Sequence, residues 1–222
     1  MKKAFTLAEV LLTLAVIGVV AALTIPAVVT KITKDQYVTG LKKAYNTLKA
    51  VEREAIQVHG PMENWTWSTG GDPTADFERY FLPHFDVLKN CGATGEEGCF
   101  AEGLTWLDGL HWGNYNSPSH YRIVTSDGMS WAYEKTSTTT PPYWWRGRFI
   151  VDVNGLKGPN REGRDIFEFY VFPSNLGVKP AGSYYEDGIT PISTSDVDSE
   201  CNTSSTGSWC AAKVLAEGAM NY

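Results

Sequence analysis

From Phe5 to Val29 the chain is apolar apart from one charge, Glu9. At about 1.5 Å of rise per residue a helix over this run reaches roughly 37 Å, enough to cross a bilayer core of about 30 Å. Lys2 and Lys3 precede it with no acid before Glu9, so the positive-inside rule keeps the leader cytoplasmic and exports everything after Val29. The chain is therefore expected to pass a membrane once and to carry its bulk outside the cytoplasm.

Glu9 is the residue that this run has to accommodate. An acid inside a spanning helix costs on the order of 3 kcal/mol and is kept where it has a partner or a purpose. Lys2 and Lys3 lie two turns back. A cut between Ala4 and Phe5 would instead uncover an α-amine at Phe5, with an ordinary pKa of about 7.7 to 8, one turn from the carboxylate.

Lys2, Lys3 and Ala4, then Phe5-Thr6-Leu7-Ala8-Glu9 and the apolar run, closely resemble the processing motif of the type IV pilin and type II secretion pseudopilin superfamily. The resemblance implies that a prepilin peptidase cuts between Ala4 and Phe5 and methylates the Phe5 amine. It also implies that the mature chain packs through its N-terminal helix with other pilin or pseudopilin subunits. Gly18 and Pro26 match a helix-loosening glycine and a kinking proline common in the family. Two residues depart from the pattern: Ala4 stands where Gly is usual, and Ala8 replaces a larger aliphatic. The motif covers about the first quarter of the chain. The implied location is a bacterial inner membrane, with the C-terminal domain periplasmic or extracellular. The implied role is a subunit of a secretion pseudopilus or a type IV pilus-like filament, with an adhesive or DNA-uptake minor pilin left open beside it. A Sec signal peptide or an uncleaved anchor would share Lys2, Lys3 and the small residues Ala21 and Ala22. Against the signal peptide, Glu9 interrupts the apolar core and the helical pattern continues past Pro26.

After Pro26, the residues Val38, Leu41, Tyr45, Leu48 and Ala55 recur at helical spacing, with Lys42, Lys43, Lys49, Glu52 and Arg53 on the other faces. This predicts an amphipathic continuation ending at Gly60-Pro61, so that both halves read as one kinked helix of roughly 80 Å. Gly18 and Pro26 each weaken the helical ladder, which leaves local unwinding or an ordinary membrane-helix bend open there. The expected organisation is a leader (1–4), a membrane helix (5–29), its amphipathic continuation (30–60) and a globular domain (61–222).

Within that domain, Phe77, Tyr80, Phe81, Phe85 and Leu88 suggest short helical turns with a buried face, broken at Pro83. Residues 104 to 116 read as loop with at most one strand. From Tyr121, YRIVTS and MSWAYEK flank Asp127-Gly128, a type I′ hairpin signal, and WWRGRFIVDV and DIFEFYVF add two strands. The expected fold is α+β, an antiparallel meander of four strands closed by the stripe on the long helix. The pilin resemblance implies the same arrangement. Residues 173 to 200 read as a surface loop and the last twelve as a short helix or tail.

Four cysteines fall in two close pairs, Cys91 with Cys99 and Cys201 with Cys210. In an exported domain this favours two local disulfides worth roughly 2.5 kcal/mol each, although three connectivities are possible. Neither pair has CxxC spacing or a neighbouring histidine, which disfavours zinc. Asp152, Asn154, Asn160 and Asp165 set hard oxygen donors on one glycine-rich stretch, with Glu162 available, as calcium prefers. Some pseudopilins bind calcium in a loop of this region, and the string is similar in kind. The competing account is a long turn in which Asp and Asn cap their own backbone.

The net charge of −6 shows no basic patch for nucleic acid. His59, His84, His111 and His120 have neither metal spacing nor a nucleophile motif beside them, so the chain is expected to be a peptidase substrate and not an enzyme. A rival from another class is a membrane-tethered glycan-binding module stacking sugars on Trp106, Trp112, Trp131, Trp144 and Trp145, residues that a domain more usually buries.

Overall fold

A computed structural model describes residues 6–95, 98–136, 145–185 and 187–222. The fold is α+β: a long N-terminal helix, α1 (Leu7–His59), whose second half packs on a six-stranded antiparallel sheet. The chain divides into two compact units, Met1–Gln36 and Tyr37–Tyr222.

In the first unit the helix runs without a break across Gly18 and Pro26, so of the two readings local unwinding is not realised. Pro26 removes one main-chain donor. Thr24, Thr30 and Thr33 each return a hydroxyl to a carbonyl four residues back, Thr30 to that of Pro26 at 2.9 Å. Leu7, Leu11, Leu14, Ile17, Leu23 and Ile25 are all exposed. Among the described residues this helix is long and apolar enough to cross a membrane.

The second unit begins at Tyr37, where α1 becomes amphipathic. Val38, Leu41, Ala44, Leu48, Val51 and Ala55 are buried, and Gly60 ends the helix with a left-handed φ of +77°. Glu52 was expected on a polar face but is buried beside Lys49, its ion-pair partner. Gly177 makes room for it, since a Cβ there would meet the Glu52 carboxylate.

The strands are β1 (Val87–Gly92), β2 (Leu104–Thr105), β3 (His111–Gly113), β4 (His120–Thr125), β5 (Ser130–Lys135), β6 (Gly147–Asp152), β7 (Ile166–Phe172) and β8 (Gly177–Pro180). The main sheet runs β1-β4-β5-β6-β7-β8, and β2 pairs β3 separately. The four predicted strands form its centre; the two edges were not foreseen. Helix α2 (Thr74–Tyr80) and a 3-10 turn at Leu82–His84 bury Phe77, Tyr80, Phe81 and Phe85 as expected. Leu88 does not continue them: it lies on edge strand β1 and is 69% exposed. Helix α3 (Thr194–Glu200) lies within the predicted surface loop, and α4 (Cys210–Glu217) makes the C-terminal stretch helical.

The β4–β5 turn also departs from expectation. A type I′ turn needs positive φ at two residues. Here Gly128 has a φ of +84° and Asp127 is not left-handed, while Thr125 N–H donates to the Met129 carbonyl at 3.0 Å across a longer loop. Asp127 serves instead as an acceptor for the Thr125 hydroxyl and the Met129 amide.

Register places Tyr121, Tyr133, Phe149 and Phe169 in one cross-strand row, and Ile123, Trp131, Val151 and Phe167 in the next. These rows share the inner core with the helix stripe, and Tyr45 stacks on Phe169 at 5.8 Å. The opposite face carries Ala132, Ile150 and Ile166 under Phe100, Leu104 and Tyr115. In register on this face stand His120, Glu134 and Arg148, with Glu168 beside them. Arg148 bridges Glu134 and Glu168.

Replacing Leu41, which has no exposed surface, by Ala is expected to cost 2 to 5 kcal/mol of domain stability, read by thermal unfolding in detergent. The same truncation at exposed Val28 should leave that transition unmoved. His120 provides a pH test: burial holds its imidazole down at about 4 from 6.5, Glu134 pulling the other way and Arg148 and Arg122 reinforcing the shift. Because the folded form takes up its proton later than the unfolded chain, stability is lost as pH falls from 6.5 towards 4, by up to about 3 kcal/mol. His120→Gln should flatten that part of the pH profile.

Candidate functional site

Two regions carry the residues singled out by sequence: the start of α1 and the long β6–β7 connection. Ala4 and Phe5, the proposed processing pair, lie outside the described residues. At the first described positions Thr6 caps the helix. Its amide and hydroxyl both donate to Glu9 Oε2 at 2.8 Å, and the Glu9 amide donates back to the Thr6 hydroxyl at 3.3 Å. This is a capping box, Thr at N-cap and Glu at N3, which satisfies otherwise orphaned helix donors. The Thr-x-x-Glu spacing of Thr6 and Glu9 carries this signal in the sequence. Gly18 has no neighbouring atom within 4 Å of where a Cβ would stand, so within the chain nothing requires its small size.

The β6–β7 connection is anchored by its own carboxylates. Asp165 accepts from the main-chain amides of Asn160 (2.9 Å) and Arg161 (2.7 Å), and Asp152 accepts from that of Asn154 (3.1 Å). Asn160 adopts a left-handed φ of 54°, and the Asn154 amide group donates to the Gly158 carbonyl at 3.2 Å. Backbone capping by Asp and Asn is therefore realised.

It does not exhaust the donor set. Asp152 and Asp165 are fully buried, and Asp152 Oδ2, Asn154 Oδ1 and Asn160 Oδ1 are buried oxygens with no hydrogen-bond partner. Burial, and then the Asp165 charge, push the Asp152 carboxyl well above the usual carboxylate range. Burial likewise raises Asp165, against the two main-chain amides that lower it. Of the two buried acids, Asp165 has both oxygens hydrogen-bonded, whereas Asp152 Oδ2 is buried without a partner, an arrangement that costs free energy. Among the described residues no three His, Cys, Asp or Glu side chains gather into a metal-binding set. A cation here would thus be held by carboxylate and amide oxygens, which selects a hard ion such as Ca2+. Of the four predicted residues, Asp152, Asn154 and Asn160 each keep one unpartnered oxygen, whereas both Asp165 oxygens accept main-chain amides.

Sequence reasoning missed one neighbour of this connection, Tyr37, and named Glu162 within it only as an available donor. Tyr37, at the start of the buried helix stripe, has its phenol raised by burial and then by Asp165. Glu162 is buried with neither carboxylate oxygen hydrogen-bonded. Gly40 sets the helix close to the connection, since a Cβ there would lie 2.9 Å from that of Val153.

Both local disulfides are formed, Cys91–Cys99 and Cys201–Cys210. The second carries Trp209, which meets Tyr185 edge-on at 6.0 Å. Of the five tryptophans weighed for sugar stacking, Trp131 is core and donates to Thr125, Trp106 and Trp112 stack on each other at 4.6 Å, and Trp145 stacks on Tyr170. Trp144 lies outside the described residues.

Set against known proteins, the chain matches no protein-family model, no curated protein and no solved structure.

Proposed function

We propose that this chain is a prepilin-like structural subunit. It is inserted in the inner membrane, cut between Ala4 and Phe5 by a prepilin peptidase, methylated at Phe5 and packed helix to helix with other subunits. One observation carries the reading: a single 53-residue helix is apolar and uncovered over its first half and buried on a sheet over its second. Such a helix offers one half for lateral packing in lipid, where van der Waals fit and satisfied polar groups drive association. Glu9 opens that half, and its carboxylate is matched to an amine at Phe5 of its own or an adjacent chain. Gly18 permits close helix approach, and Pro26 frees one carbonyl where the apolar half ends. The chain is the substrate of an enzyme in this scheme, and its filament is a secretion pseudopilus or a related pilus.

The β6–β7 connection adds a structural cation. Asp152, Asn154, Asn160 and Asp165 would hold Ca2+, which supplies charge neutralisation to the buried acids and locks the connection against α1. The unpartnered oxygens of Asp152, Asn154 and Asn160 support this assignment.

N-terminal mass analysis of the membrane-extracted chain should find a methylated Phe5 as its first residue. An intact Met1 or a start beyond Ala22 would overturn the scheme. Glu9→Gln keeps an acceptor for the Thr6 cap and removes the charge, so it should insert and be cut normally but enter filaments poorly; normal assembly would remove the role of the acid. Calcium at about 100 times its Kd should stabilise the domain by about 2.7 kcal/mol, read as a raised Tm that EDTA reverses. Asp152→Asn should abolish the response, and a Tm indifferent to calcium in the parent chain would rule the site out.

A further inference from the structure

We propose that a cleft at the end of the sheet where β6 begins and β7 ends is a binding site for a neutral saccharide. The cleft has a volume of about 370 Å³, within the range of small-ligand sites, and its walls include Trp65, Trp67, Arg146, Phe172, Glu63 and Asp187. None of the tryptophans weighed above lines it.

Trp65 forms a rigid floor. Its indole N–H donates to the Gly60 carbonyl at 2.8 Å, and its ring stacks on Tyr80 at 4.3 Å. Trp67 leans on Trp65 and Tyr80, each at 5.5 Å, but is only half-buried, leaving part of an aromatic surface open in the cleft. Arg146 is held by its main chain, whose amide donates to the Val171 carbonyl at 2.7 Å. Among the described residues its guanidinium has neither an ion pair nor a hydrogen bond, and its Nε is buried without a partner, as is Trp67 Nε1. Unspent donors of this kind beside an aromatic wall are costly unless something is bound there.

Charge selects the ligand class. Arg146 is offset by two acids, Glu63, which is exposed, and Asp187, which is held in its own loop by the amides of Ile189 and Thr190. The lining charge is thus one positive against two negative, which disfavours an anion despite the arginine. A set offering both donors and acceptors around an aromatic face matches a ring bearing hydroxyls, which donate and accept and whose apolar C–H face stacks on indole. This site is independent of how the N-terminus is processed.

The test uses the full chain in a zwitterionic, sugar-free detergent, titrated with cellotetraose, chitotetraose and maltotetraose and with a uronic-acid tetramer as charged control, reading tryptophan fluorescence. At least one neutral tetrasaccharide should give a saturable change that Trp67→Ala and Arg146→Gln each weaken tenfold or more, while Trp106→Ala leaves it intact. Thermal melts establish that each variant is folded; Arg146→Gln, at a half-buried position outside the hydrophobic core, keeps the test decisive if Trp67→Ala unfolds. The proposal is overturned if no neutral tetrasaccharide responds up to about 10 mM, a concentration that captures even weak binding. It is equally overturned if the response survives Arg146→Gln or if the uronic-acid tetramer binds in preference.

Discussion

The close approach of α1 to the sheet is the constraint on which the second unit depends. Gly40, Ala44 and Ala55 are small where the helix meets the domain, so its backbone comes near enough for Leu41, Leu48 and Val51 to enter the aromatic rows of the inner face. That interface is built from tightly packed side chains, and interiors at this density absorb changes of even one methylene poorly. The same approach brings Tyr37 and Gly40 to the β6–β7 connection, so helix packing and the candidate cation site share one geometry.

The opposite face of the sheet follows different physics. Its centre is apolar, yet it buries Glu168 and His120 and half-buries Arg148 and Glu134, with Tyr115 of the covering stretch donating its hydroxyl to Glu168. Buried ion pairs of this kind contribute little net stability, because desolvation offsets their attraction, but breaking one partner leaves a stranded charge. In Arg148-Phe149-Ile150, Phe149 faces the helix stripe while Arg148 and Ile150 share the outer face. One charged and one apolar residue on the same face do not tell whether that face is covered or wet.

The candidate sites were legible to different degrees. Asp152, Asn154, Asn160 and Asp165 could be grouped because they share one short stretch, and their chemistry follows from residue type. Glu9 was recognised as exceptional because charge in an apolar run is visible in one dimension, whereas its hydrogen bonds to Thr6 depend on where the helix begins. The Trp65, Trp67 and Arg146 cleft was not legible at all. Its walls come from three separate stretches, around Trp65, Arg146 and Asp187, brought together only when the segment after α1 folds over the strand ends.

By itself the sequence determined the apolar helix, its amphipathic continuation to Gly60, the four central strands and the two cysteine pairs. Each rests on local periodicity or spacing, which survives in one dimension because neighbouring residues share a face. Tertiary structure alone decided the edge strands β1 and β8, the burial of Glu52, the covering of the outer face and the fate of the tryptophans. Those outcomes depend on which distant surfaces meet, and a buried aromatic or a half-buried one has the same letter in the chain until its neighbours arrive.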